Sequence, residues 1–186
     1  MDFLFNKQTN VSIDNNNFNE LKDIKNELGD KFFLGAIDDC LEQYAHQYGT
    51  KFVFKDLIPW DDFRILAISY IENSIDSIVS CLDQDNDFVG SIDININANE
   101  YIFRFEIEDN GTGIDPEVKD LIFKQQIDSK KNRRITFGGF GVATYTNKAE
   151  IDELDGKYGF NDKGKNGAMF WFEIPMDSLI SKYGHK

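Results

Sequence analysis

Two apolar periods divide this chain. Steps of three and four residues put Phe33, Ile37, Cys40, Leu41 and Tyr44 on one face of a helix from Phe33 to Gln47, with Gly49 as its stop. The same spacing gathers Leu66, Tyr70, Ile71, Ser74, Ile75 and Ile78 on a second helix that starts near Asp61 or Asp62, both suitable caps. Alternation of apolar and polar residues predicts strands at Lys51–Lys55, Phe88–Ala98 and Glu100–Glu108, with Pro59 breaking the chain after the first and a polar connection, Asp83–Asp87, before the second. Pro116 and Glu117 open a short helix through Val118, Leu121, Ile122 and Phe123, and a longer one covers Val142–Glu153. Two closing strands follow, separated by a turn around Gly164–Gly167. Ahead of Lys31 the chain is polar and asparagine-rich, with Asn15, Asn16 and Asn17 in a row and one short helix, Phe18–Leu28, ended by Gly29. The succession predicts an α/β sandwich, a mixed sheet with helices on one face. It divides into a polar N-terminal extension (1–31), a domain (32–176) and a tail (177–186).

A chain of 186 residues with 41% hydrophobic side chains is long enough for one domain with its own core. The net charge of -13 argues against nucleic acid as a partner. Cys40 and Cys81 are too few for a disulfide framework and lack metal-ligand spacing, so reduced thiols are expected. No apolar run reaches the ~20 residues that span a bilayer, so no membrane segment is expected. The N-terminus lacks a basic region followed by an apolar core, which makes a cytoplasmic location the expectation and leaves open export by a route without that signal. No Ser/His/Asp triad, zinc spacing or P-loop is present.

The run Tyr101–Glu108 ends at Asp109-Asn110-Gly111-Thr112-Gly113-Ile114, placing a carboxylate at a strand end before two glycines spaced by one residue. Glycines there let a flat ring approach the backbone, and a purine amine would find the Asp109 carboxylate. A polar hairpin turn is the structural alternative. On the preceding helix Asn73, an amide on a mostly apolar segment, requires a partner.

These segments resemble the ATP-binding domains of the GHKL superfamily: gyrase, ninety-kilodalton heat-shock chaperones, sensor histidine kinases and mismatch-repair MutL proteins. Ile71–Ser77 (IENSIDS) is similar to the N box and Glu108–Ile114 (EDNGTGI) to the first glycine box. Gly138–Thr144 (GGFGVAT) resembles the second, and Asp155–Pro175 resembles the closing strand pair of histidine kinases. The resemblance implies a Bergerat-type two-layer α/β sandwich with a mobile ATP lid, and ATP and Mg2+ as ligands. Asn73 would hold the magnesium, with Glu72 beside it as the other candidate catalytic residue, and Asp109 would read adenine, supported by Gly111 and Gly113. Gly139 and Gly141 would meet phosphates at a helix start. Lys130, Lys131, Arg133 and Arg134 in the lid are further phosphate candidates. Asp76, Ser77, Ile114, Phe140, Val142 and Ala168 complete the expected nucleotide contacts.

One departure bears on mechanism. Gyrase-like members carry a general-base glutamate one turn before the asparagine, and here that position is Ser69, a poor base. Glu72 is rotated about 100° from Asn73 around the helix. Fast hydrolysis is therefore not expected. Of the two histidines, His46 lies in AHQYG without the neighbours of a phosphoacceptor box, and His185 is in the tail. The expected function is ATP and magnesium binding with phosphotransfer to an unidentified separate protein. A silent nucleotide-gated interaction module, or a slow ATPase, is the alternative.

Overall fold

The computed structural model describes residues 5–48, 60–124 and 142–183. Strand β1 (Phe5–Ile13) leads into helix α1 (Leu21–Asn26), a π-helical stretch (Glu27–Leu34) and α2 (Gly35–Tyr48). The long helix α3 (Trp60–Leu82) is followed by β2 (Gly90–Ala98), β3 (Ile102–Asp109) and the single turn α4 (Pro116–Lys119). After α5 (Val142–Glu153) come β4 (Lys157–Asp162), β5 (Ala168–Pro175) and α6 (Met176–Tyr183). The five strands form one sheet in the order β1-β2-β3-β5-β4. The predicted strand at Lys51–Lys55 lies outside the described residues, as do Lys130, Lys131, Arg133, Arg134, Gly139, Phe140 and Gly141.

The α/β sandwich is present, but all four described pairings are antiparallel where a mixed sheet was expected. Tight connections force this for two of them, because a short turn can only return a strand against its neighbour. Asn99 makes the β2–β3 turn: its Oδ1 accepts from the backbone N–H of Tyr101 (2.8 Å) and of Ile102 (3.0 Å).

The N-terminal lead docks on the domain, since Phe5–Ile13 pairs with β2 over nine residues. Its alternation was hard to read because Lys7 and Thr9 take sheet positions between the buried Phe5 and Ile13. Lys7 is held there by Asp39 (3.0 Å) and by the Phe32 ring. Gly29 does not end a helix. A Cβ there would lie 2.8 Å from Ile68 Cγ1, so the glycine lets the π-helical stretch seat directly on α3. Met176–Tyr183 form α6, anchored by the buried Met176 and Leu179.

Helix α3 supplies the centre of the core. Its Leu66, Tyr70, Ile71, Ile75, Ile78, Val79 and Leu82 are buried against the inner face of the sheet, where Ile92, Ile94, Ile96, Phe103, Phe105, Ile107, Phe172 and Ile174 alternate with polar residues. Aromatic rings tie the layers. Phe105 stacks on Phe172 with centroids 5.1 Å apart and takes Phe33 edge-on at 5.3 Å, while Tyr70 stacks on Phe170 at 5.6 Å. The other sheet face is polar. Arg104 bridges Glu106 and Glu173 across β3 and β5 and lies 4.6 Å over the Trp171 ring, and Asn10 donates to Asp93 (2.7 Å). Among the described residues no helix is long and apolar enough to cross a membrane.

Because Phe105 joins both helical neighbours to the sheet, Phe105→Ala is expected to cost about 3–5 kcal/mol of folding stability. A lower urea midpoint at unchanged slope is the check.

Candidate functional site

The inner-face alternation of β3 runs Phe103, Phe105, Ile107 and then Asp109, so the strand pattern itself buries a carboxylate. Asp109 is only 4% exposed. Its Oδ2 accepts from Ser74 Oγ on α3 (3.1 Å), and its Oδ1 accepts from the backbone N–H of Gly111 (2.9 Å). Burial pushes its pKa up. The Gly111 N–H, the Ser74 and Ser77 hydroxyls and the Ala168 N–H oppose that shift by favouring the ionised form. An ionised carboxylate only accepts hydrogen bonds, so any further group that meets it must bring a hydrogen. An exocyclic amine is such a group.

The loop after Asp109 is held against α3 and the β4–β5 turn. Ser77 Oγ accepts from the Thr112 N–H (2.9 Å), and Asn110 clasps β2, accepting from the Ser91 N–H (2.8 Å) and donating to the Val89 carbonyl (3.0 Å). At Gly111 a Cβ would lie 2.3 Å from Ser77 Oγ and 2.7 Å from the Ser77 carbonyl carbon. At Gly113, where φ is +74°, it would lie 1.8 Å from the Gly164 carbonyl oxygen. The space left by these glycines is therefore filled by the protein's own backbone, a different reason from ring access. Gly167 does the same from the turn, its absent Cβ falling 1.9 Å from the Asp109 carbonyl oxygen.

The structure thus brings Ser77, Asp109, Gly111, Gly113 and Ala168 to one end of the sheet, beside the α3 turn that carries Asn73. Asn73 is half-buried, Asp76 is 2% exposed on the same helix, and Ile114 packs half-buried against the core. Val142 opens α5. Glu72 does not join this group: its carboxylate is bound by Lys25 of α1 at 2.6 Å, on the flank of α3 that meets the N-terminal helix. Sequence reasoning passed over Ser74 and Thr112 as site residues. The signal for Ser74 was a hydroxyl inside an apolar helical stripe directly after Asn73.

Other chemistry-bearing residues stand apart. Trp171 lies on the polar sheet face, away from Asp109. His46 is exposed near the end of α2. Cys40 is a free thiol, and burial pushes its pKa up to about 12. Among the described residues no group of three or more His, Cys, Asp or Glu is arranged to hold a metal ion. A cavity of about 420 Å³ on the open sheet face is lined by Gln8, Asn10, Asp93 and Glu106, and does not include Asp109.

Known proteins share this sequence pattern. The family described as histidine kinase-, DNA gyrase B- and HSP90-like ATPase matches residues 63–178. The chain is 24% identical over 152 residues to the sensory/regulatory protein RpfC of Xanthomonas campestris, covering 77% of this chain and 20% of RpfC. It is 28% identical over 147 residues to the sensor histidine kinase GlnK of Bacillus subtilis, covering 76% of this chain and 34% of GlnK. The chain therefore spans about a third or less of these curated relatives. Among solved structures, the mycobacterial sensor histidine kinase MprB aligns with a TM-score of 0.48 and 14% identity over 90% of this chain and 97% of that one. With a family match that covers more than half of its length, the chain belongs to the histidine kinase-, DNA gyrase B- and HSP90-like ATPase family.

Proposed function

We propose that the chain binds ATP with magnesium and delivers the γ-phosphoryl group to a separate protein, as a histidine-kinase-type catalytic domain. The observation that carries this reading is the buried Asp109 carboxylate, tied by Ser74 to the helix turn that bears Asn73. Asp109 takes a hydrogen from the adenine amine. Asn73 offers a neutral amide oxygen, a donor suited to a hard cation whose remaining ligands phosphate oxygens would supply. Bound magnesium supplies charge neutralisation on the triphosphate. Gly139, Gly141 and the cations Lys130, Lys131, Arg133 and Arg134 are assigned to the phosphates. In transfer, the acceptor's nucleophilic atom bonds to the γ-phosphorus as the bond to the bridging oxygen breaks, ADP leaves with that electron pair, and the acceptor's proton passes to solvent.

A specific observation favours a second reading, a silent module that senses ATP and presents a surface to an effector. The carboxylate adjacent to Asn73, Glu72, is engaged by Lys25, and the position one turn earlier is the buried Ser69, so water activation has little support. Incubation with γ-labelled ATP and candidate acceptor proteins separates the two. Label transferred by the wild type and lost in Asn73→Ala supports phosphotransfer, whereas intact ATP with protease protection of residues 125–141 supports the silent module. Under the phosphotransfer reading Glu72→Gln is expected to leave the amount of transferred label unchanged, because that carboxylate is engaged by Lys25.

Asp109→Asn is expected to weaken ATP binding by about ten- to a hundredfold, the worth of a charged hydrogen bond, as measured by calorimetric titration. Its effect on folding runs the other way. Burial raises the Asp109 pKa, so between the ordinary aspartate value and the raised one the folded chain holds more protons than the unfolded chain. Its contribution is thus fully present below the ordinary value and is lost as pH rises through the raised one. At neutral pH the amide variant should have a thermal midpoint equal to or above that of the wild type. A lower midpoint would show that the carboxylate is structural.

A further inference from the structure

A serine inside a helix commonly spends its hydroxyl on the carbonyl one turn back. Helix α3 shows that behaviour at Ser80, whose Oγ donates to the Asp76 carbonyl (2.8 Å). Ser74, earlier on the same helix, departs from it. Its Oγ reaches across to the sheet and donates to Asp109 Oδ2 (3.1 Å). Ser74 is only 1% exposed, so water does not compete for that hydrogen.

The bond matters because of the torsion that it holds. Rotation of an aspartate carboxylate about its Cβ–Cγ bond is soft, with a broad minimum in place of sharp staggered wells. At Asp109 the two oxygens are gripped from different elements: Oδ1 by the Gly111 N–H of its own loop (2.9 Å), and Oδ2 by Ser74 of α3. Donors on opposite oxygens set the plane of the carboxylate, and with it the direction of the lone pairs left for a ligand. Loop and helix keep a fixed distance, since a Cβ at Gly111 would lie 2.7 Å from the Ser77 carbonyl carbon. The grip is therefore built on two elements that do not slide apart.

We propose that Ser74 is a positioning residue for base recognition: by holding Oδ2 it aims the Asp109 carboxylate at the exocyclic amine of adenine. The proposal rests on the ATP-binding reading of this site. Ser74 acts through Asp109, so its effect belongs to the amine and is absent for a base without one. A hydroxyl that only completed the core would support every nucleotide alike.

Calorimetric titration of the full chain, with magnesium, compares ATP with purine riboside triphosphate, which carries hydrogen in place of that amine. The wild type is expected to prefer ATP by about ten- to a hundredfold, and Ser74→Ala to narrow the preference about three- to tenfold by weakening ATP binding alone. Ser74→Cys keeps a similar volume with a weaker donor and should narrow it less. An equal loss for both nucleotides, or a preference unchanged in Ser74→Ala, overturns the proposal while leaving the ATP site intact. Should Ser74→Ala fail to fold, Ser74→Cys carries the same comparison, and a preference equal to that of the wild type overturns the proposal. A wild type that binds both nucleotides equally, or neither, overturns the reading of Asp109 on which it rests.

Discussion

A carboxylate in the place of an apolar side chain organises this molecule. The pleat of β3 sends Asp109 to the same face as Phe103, Phe105 and Ile107, and that face is covered by α3. Burying a charge without partners is expensive, so the helix opposite must answer with donors instead of methyl groups. It does so through Ser74 and Ser77, which interrupt the stripe that otherwise runs through Tyr70, Ile71, Ile75 and Ile78. The same helix turn bears Asn73, so the demands of a satisfied interior and the placement of the proposed nucleotide site coincide.

Close backbone approach then makes the site stiff. Gly111 lies against α3, Gly113 against the carbonyl of Gly164, and Gly167 against the carbonyl of Asp109, each at a distance that a Cβ would forbid. Asn110 ties the loop to β2, and Lys163 and Lys119 pair with Glu108 and Asp162 across the loop and the β4–β5 turn. Loop and turn thus behave as one unit held to the sheet end. A preorganised acceptor loses less on binding than one that must first be ordered.

Much of this was legible beforehand. Helix α3 and the strands β2 and β3 follow from spacing alone, because one face of each is buried and period reports burial. Asp109 stood out as a carboxylate at the end of an apolar alternation, and Asn73 as an amide on a mostly apolar helix. Strand β1 was obscured by Lys7 and Thr9, whose inward positions make sense only once Asp39 and Phe32 are seen to receive the lysine. Gly29 read as a helix stop because glycine commonly is one. Its real constraint is Ile68, on a different helix far along the chain.

What the sequence determined by itself was local: where helices and strands form, and which polar residues interrupt them. Such features depend on neighbours a few positions apart, so they are written in the order of residues. The tertiary structure decided who answers whom. Glu72 faces Lys25, Ser74 meets Asp109, and the loop glycines make room for backbone. Each of these pairs elements that are remote in sequence, and their contact is set by how the layers pack, a constraint no local period contains.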